Sequence, residues 1–258
     1  MIYYFSGTGN SRYAARFLGE RLKEDVVAVN DCNPEFQQPS GKSIGLVFPV
    51  YSWGVAPVML DFISRLPQAF WREVKSKDIP VWAVMTCGDE TALAPEMLDK
   101  ALKRRGVKAQ SVWSLIMPNN YVLLPGFDVD PKEVEKRKLK AAPARLAQIA
   151  KGIKEGRKTV DVVRGSLAWL KTKLVFPLFE KWGIQQKKWH TSGGCIGCGV
   201  CVRSCPLGNM HMEGDRPVWG PDCCSCLACY HNCPRHAVEY DGMTQKKGQY
   251  RLEVKDQR

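Results

Sequence analysis

No apolar run in this chain approaches the roughly 20 residues that a membrane-spanning helix needs. Met1 leads straight into Ile2-Tyr3-Tyr4-Phe5 with no basic flank and no small-residue cleavage site, so no secretory signal is read and a cytoplasmic location is expected. Acid is in short supply: 26 Asp and Glu stand against 38 Lys and Arg, a formal charge of +12. No RNA-binding or helix-turn-helix signature accompanies that excess, which argues against nucleic acid as a partner. The four histidines form no pattern of their own. Cysteine is nearly missing before residue 195, where only Cys32 and Cys87 occur. The composition thus divides the chain into a part long enough for a sizeable core and a small part that needs a cofactor to staple it.

What the small part holds is eight cysteines in two sets of identical spacing. Cys195, Cys198, Cys201 and Cys205 precede Pro206, and Cys223, Cys226, Cys229 and Cys233 precede Pro234. Each set reads C-x-x-C-x-x-C-x-x-x-C-P, an internal repeat. Zinc sites pair C-x-x-C knuckles across a longer loop, and a disulfide framework needs an oxidising compartment, so both fit poorly. Residues 191–242 resemble a two-cluster bacterial ferredoxin domain. That resemblance implies two [4Fe-4S] clusters with crossed ligation, because the fourth cysteine of each run binds the other cluster. One cluster is then expected on Cys195, Cys198, Cys201 and Cys233, the other on Cys223, Cys226, Cys229 and Cys205. Cys224 has no counterpart in the first repeat and is read as a small buried thiol. His231 and His236 fall among or near these ligands, where cluster burial accounts for them.

At the other end, a short β-prone run at residues 2–5 enters Ser6-Gly7-Thr8-Gly9-Asn10-Ser11 and then a helical pattern through Leu22. A strand that passes through small hydroxyl and glycine residues into a helix makes an anion site, with free N–H groups and the positive helix end aimed at one place. The loop has no Lys, which excludes a Walker A motif, and it lacks the dinucleotide-fingerprint spacing. It resembles the phosphate loop of flavodoxins, S/T-x-T-G-N-S/T. The resemblance implies a doubly wound α/β domain with a five-stranded parallel sheet in the order 2-1-3-4-5, binding FMN at the carboxyl ends of its strands. Periodicity is compatible: strands are expected at 26–29, 43–50, 81–86 and 111–117, and helices at 56–65, 92–105 and 131–151.

On this resemblance Ser6, Thr8, Gly9, Asn10 and Ser11 hold the phosphate. The loop Tyr51-Ser52-Trp53-Gly54 follows the third strand, where flavodoxins cover the isoalloxazine ring, and Tyr51 and Trp53 are the aromatic candidates. Anchoring of the loop in the core is the alternative for Trp53. Thr86-Cys87-Gly88 occupies the second ring-contacting position. Cys87 has no neighbouring His or Lys to activate its thiol and is read as structural. Asn119 and Asn120 follow the fifth strand and either cover the flavin or face the second domain.

Residues 1–152 are therefore assigned to an FMN domain, 153–190 to an apolar and basic connecting segment, 191–242 to an α+β two-cluster domain and 243–258 to a solvated tail. The centre of the connecting segment, from Leu167 to Trp182, is too apolar for a flexible linker. It is expected to pack the domains together through Trp169, Phe176 and Phe179; contact with a membrane surface is the alternative. The basic run around Lys136-Arg137-Lys138 and Lys140 is read as a solvated helix face or a means of steering an acidic redox partner. With about −2 for each cluster and for the flavin phosphate, the holoprotein falls to roughly +6.

Over 1–242 the chain looks like a flavodoxin-ferredoxin fusion of anaerobes. The function this implies is electron transfer between FMN and two [4Fe-4S] clusters, with a redox partner protein of acidic surface. An enzyme that reduces a small-molecule substrate held over Tyr51, Trp53 and Asn120 is the runner-up, and a membrane-peripheral redox module is the third reading.

Overall fold

The computed structural model describes residues 1–179, 181 and 186–253. Its larger part is a mixed α/β unit with a mostly parallel sheet, which fits a flavodoxin-like α/β fold. The strands are β1 (Ile2–Tyr4), β2 (Val26–Ala28), β3 (Ile44–Tyr51), β4 (Gly54–Val55), β5 (Val81–Cys87), β6 (Ser111–Ile116) and β7 (Thr159–Asp161). Across the sheet they run β2-β1-β3-β5-β6-β7, all parallel, while β4 folds back antiparallel onto the end of β3. The sheet is thus wider than the five strands expected. β4 and β7 are two and three residues long, too short to show a period of two. β7 also draws 159–161 out of the connecting segment and into the sheet.

Five helices cover the two faces: α1 (Asn10–Leu22), α2 (Pro57–Arg65), α3 (Gln68–Ser76), α4 (Ala94–Lys103) and α5 (Lys132–Lys154). Strand pleating sorts the core. In β5, Val81, Ala83 and Met85 face a cluster with Met59, Phe62, Phe70, Trp71 and Leu98 from α2, α3 and α4. Trp82 and Val84 point the other way, against Ala14, Leu18, Leu146 and Ile149 from α1 and α5. Alternate residues of one buried strand therefore serve two cores. The helix α3 was not among the expected elements; only Phe70, Trp71 and Val74 mark its buried side. The basic face of α5 is not wholly solvated, since Lys138 is buried.

A smaller unit contains the cysteines. β8 (Trp189–Thr191) pairs antiparallel with β11 (Val238–Tyr240), and β9 (Met210–Glu213) forms a hairpin with β10 (Arg216–Trp219). Gly214, at φ 58°, takes the first position of the two-residue turn, where a side chain would be strained. Two short helices, Val200–Ser204 and Ala228–His231, each begin inside a cysteine set. Val122 and Leu123, from the loop after β6, pack into the same core as Trp189, Tyr230 and Tyr240.

Residues 243–253 are not the solvated extension expected. Thr244 and Tyr250 are buried, and Tyr230 donates from its hydroxyl to main-chain carbonyls of Lys247 and Gly248 at 2.9 and 3.1 Å. The Leu252 N–H then donates to the Thr8 carbonyl at 2.8 Å. A polar sequence conceals this course because the tail is held mainly by hydrogen bonds, most with a side chain on one end, which leave no hydrophobic pattern.

Residues 168–178 form one continuous helical stretch, with π geometry at Lys171–Val175. Phe176 and Phe179 are buried, as expected of a packing element, but Trp169 is 67% exposed. Thr172 and Phe176, four residues apart, share the inner side. Trp182 lies outside the described residues. Among the described residues no helix is long and apolar enough to cross a membrane.

Candidate functional site

The carboxyl ends of β1, β3, β5 and β6 converge on one cavity. Ser6, Gly7, Thr8, Asn10 and Ser11 form one wall, Tyr51 and Ser52 a second, and Thr86, Cys87, Gly88, Asn119 and Asn120 a third. It is closed by Pro118, Tyr121 and Phe179, and by Ser225, Cys226 and Leu227 from the second cysteine set.

The loop after β1 is built as an anion cradle. The first intrahelical bond of α1 runs from the Tyr13 N–H to the Gly9 carbonyl at 2.9 Å, so the N–H groups of Asn10 and Ser11 lie ahead of the helical ladder. Side chains brace the loop. Ser6 Oγ accepts from the Gly9 N–H at 3.2 Å, and Ser11 Oγ and Thr86 Oγ1 are 2.7 Å apart. Asn10 donates to the Pro118 carbonyl at 3.0 Å and accepts from the Tyr250 hydroxyl at 2.6 Å. Asn120 Nδ2 donates to Thr8 Oγ1 at 2.5 Å.

Three expected residues lie off the cavity. Gly9, at φ 98°, is turned to the tail: a Cβ there would sit 2.1 Å from the Leu252 carbonyl oxygen. Trp53 is held away by its indole N–H, which donates to Glu90 Oε1 at 2.7 Å, and by Thr172, whose hydroxyl donates to the Trp53 carbonyl at 2.8 Å. Lys171 pairs with the same Glu90 and lies 5.4 Å from the Trp53 ring centroid. Trp53 therefore anchors the connecting helix instead of covering a ring. Gly54 follows it, because a Cβ there would meet the Phe176 ring at 2.2 Å.

The loop carrying Asn119 and Asn120 is pinned from below. Asp130 accepts the Asn119 N–H at 2.9 Å and pairs with the buried Lys138 at 2.7 Å. From the cysteine side, His231 Nε2 lies 2.8 Å from the Asn120 carbonyl, while its Nδ1 accepts the Tyr250 N–H at 3.1 Å. That pair of bonds assigns the proton to Nε2 of a neutral ring. Burial holds its pKa down to about 4, against the opposing pull of the Asn120 carbonyl. One imidazole thus joins the sheet domain, the cysteine unit and the tail.

Cys87 is buried at the cavity edge, where burial first and Asp89 second push its thiol up to about 12. It remains a neutral thiol at physiological pH, in keeping with a structural role. Cys224 is buried in the sheet-domain core beside Tyr51.

Among the cysteines of the two sets, the structure brings together residues from both. The Cys201 thiol is raised by burial, with Cys233 and Cys195 as charged neighbours. Cys223 and Cys229 are raised by burial too, and both feel Cys226 or each other together with Cys205. Cys205 therefore neighbours the second triplet, and Cys233 the first. Among the described residues no three ligating side chains close on a point for a single ion. A cubane joins each thiolate to a different iron, so its cysteines stand farther apart than ligands around one metal. The buried indole N–H groups of Trp189 and Trp219 make no full hydrogen bond among the described residues. They lie beside Cys223 and Cys229 and favour the thiolate of each.

The residues missed from sequence are Ser225 and Leu227. The first repeat has Gly197 and Gly199 where the second has Ser225 and Leu227, and all four are left-handed, at φ 66°, 67°, 52° and 64°. A side chain in that conformation costs about 1–2 kcal/mol, and Ser225 and Leu227 are two of the ten described non-glycine residues that adopt it. Both line the cavity, and Ser225 Oγ is buried without a partner among the described residues. An unpaired hydroxyl on the wall leaves a hydrogen-bonding position open to a polar ligand. Neither a protein-family model nor a curated protein sequence matches the chain.

Proposed function

We propose that this protein is an iron-sulfur flavoprotein that exchanges electrons between FMN and two [4Fe-4S] clusters. The observation that carries the reading is Cys226, a thiol of the second set, on the wall of the same cavity as the loop Ser6–Ser11. The two sites also touch directly, since a Cβ on Gly7 would lie 2.2 Å from the Cys226 carbonyl oxygen. FMN takes up two electrons and each cluster carries one, so adjacent sites convert between two-electron and one-electron transfer.

The chain's own residues then have defined tasks. The loop Ser6–Ser11 binds the phosphate through N–H groups and hydroxyls. Tyr51, Gly88 and Asn119 border the ring, while Tyr121 and Phe179 exclude water from it. Cys205, Cys223, Cys226 and Cys229 hold the cluster next to the cavity. Cys195, Cys198, Cys201 and Cys233 hold the outer one, where Cys198 and Ile196 are exposed and offer an exit to a redox partner. The net positive charge suits an acidic surface on that partner. Hydride delivery to a substrate held over Tyr51, Trp53 and Asn120 is the second reading: Tyr51 and Asn120 line the cavity, while Trp53 is tied to Glu90 and away from it.

The test is anaerobic reconstitution with FMN, iron and sulfide, followed by reductive titration with optical and EPR spectra. One flavin and two clusters per chain, with fast electron exchange between flavin and one cluster, are expected. Zinc in place of iron, or a cavity that binds no flavin, would refute the proposal.

A further inference from the structure

We infer that the outer face of the connecting helix is a docking surface for an anionic lipid bilayer. Leu167, Leu170, Leu174 and Leu178 recur at helical spacing and are all exposed (41–69%), with Trp169 beside them. The inner side is already occupied: Phe176 packs on Gly54, Phe179 reaches the Tyr121 ring at 6.3 Å, and Thr172 bonds Trp53. The helix is thus fastened to the protein by one side and holds a row of leucines outward. A contiguous apolar patch of this kind marks an interaction site.

The surrounding charge selects the occupant. From Arg164 to Lys188 the sequence carries six Lys or Arg and a single acid, Glu180; Arg164, Lys171 and Lys188 are ion-paired with Glu96, Glu90 and Asp241, which leaves Lys173 as the exposed cation on the helix flank. Lys173, exposed on the helix flank, also lines a groove of about 720 Å³ against α2 and α4. Lys100, Arg104 and Arg105 line the same groove, and its acid, Asp61, is paired with Arg65 at 3.6 Å. Apolar side chains flanked by cations suit a bilayer surface, where leucines enter the acyl boundary by roughly 5–10 Å and lysines stay with lipid phosphates. Trp169 suits the same interfacial depth.

Two other occupants fit less well. A second copy would bring Lys173 and the groove cations against their own counterparts, and like charges facing each other oppose pairing. A transient redox protein docks through a small contact with a polar rim, which leaves most of the leucine row uncovered. The helical stretch is short, about 16 Å at 1.5 Å per residue, so apolar insertion alone gives weak binding. Cations must contribute, and salt must therefore weaken the complex.

The experiment is co-sedimentation of the full chain with phosphatidylglycerol vesicles and with phosphatidylcholine vesicles, alongside light scattering of the free protein. Binding to the anionic vesicles is expected, about tenfold or more above the neutral ones and reduced by salt. The double variant Leu170→Gln/Leu174→Gln should lose about tenfold in binding. The triple variant Lys100→Gln/Arg104→Gln/Lys173→Gln should lose binding to anionic vesicles while the neutral baseline stays put. All five side chains are at the surface, so circular dichroism of the variants should match the parent. Absence of binding to either vesicle, equal binding to both, or a dimer that the leucine variant dissociates would each overturn the inference. The outcome does not depend on FMN or cluster occupancy.

Discussion

Three side chains around the cavity illustrate how burial decides chemistry at the scale of one residue. Lys138 is buried and pairs with Asp130 at 2.7 Å, and with the exposed Asp89 at 3.3 Å. Asp130→Ala leaves the ammonium without its buried partner. A loss of about 3 kcal/mol is expected in urea unfolding, at the low end for breaking a buried pair because Asp89 remains. Cys87, with its thiol pushed up to about 12, should resist iodoacetamide at pH 8 in the folded protein and react after denaturation. Peptide mass spectrometry reads the difference, and rapid native labelling would contradict the burial. Ser225 brings an unpaired hydroxyl to the cavity wall. Ser225→Ala should weaken FMN binding by about 1 kcal/mol, roughly fivefold, with both cluster signals retained. An unchanged flavin affinity would show that the hydroxyl faces something else.

At the scale of elements, the connecting helix and the tail exchange the roles their sequences suggest. The helix looks uniformly apolar, yet its aromatic residues divide: Phe176 fills the space above Gly54 while Trp169 faces outward. Phe176→Ala should cost about 3–5 kcal/mol, whereas Trp169→Ser should stay within about 0.5 kcal/mol. Thermal unfolding of the two variants compares them directly, and equal losses would mean that Trp169 is covered. The tail, polar and unpromising, crosses the Ser6–Ser11 loop through the Leu252 N–H and the Tyr250 hydroxyl. Asn10, expected to help hold a phosphate, has its carboxamide oxygen engaged by the Tyr250 hydroxyl.

For the whole molecule, the order of sites is the functional statement: loop and cavity, then the cysteines around Cys226, then the outer cysteines near the exposed Cys198. Cys205 sits in the first run of sequence but beside Cys223 and Cys229 in space. Cys205→Ala should therefore abolish the cluster next to the cavity and leave the outer one. EPR of the reduced variant tests this, with electron exchange between flavin and the remaining cluster expected to slow sharply. Loss of the outer cluster instead would break the crossed arrangement.

The sequence by itself determined the features whose signal is local. Cysteine spacing, the Ser6–Ser11 loop opening a helix, and the alternation of buried strands with amphipathic helices each repeat within a few residues, so periodicity reveals them. Most of the cavity wall was legible for the same reason, because a parallel sheet brings its strand ends to one edge. Only the tertiary structure decided which way Trp53 turns, where the tail lies, and which cysteine residues complete the cavity. Trp53 is turned by Glu90 and Thr172, and the other two depend on contacts such as Thr8 with Leu252, Asn10 with Tyr250 and Gly7 with Cys226. Partners more than 200 residues apart leave no mark on local pattern, since backbone bonds and close approaches depend on the path of the chain and not on side-chain hydrophobicity.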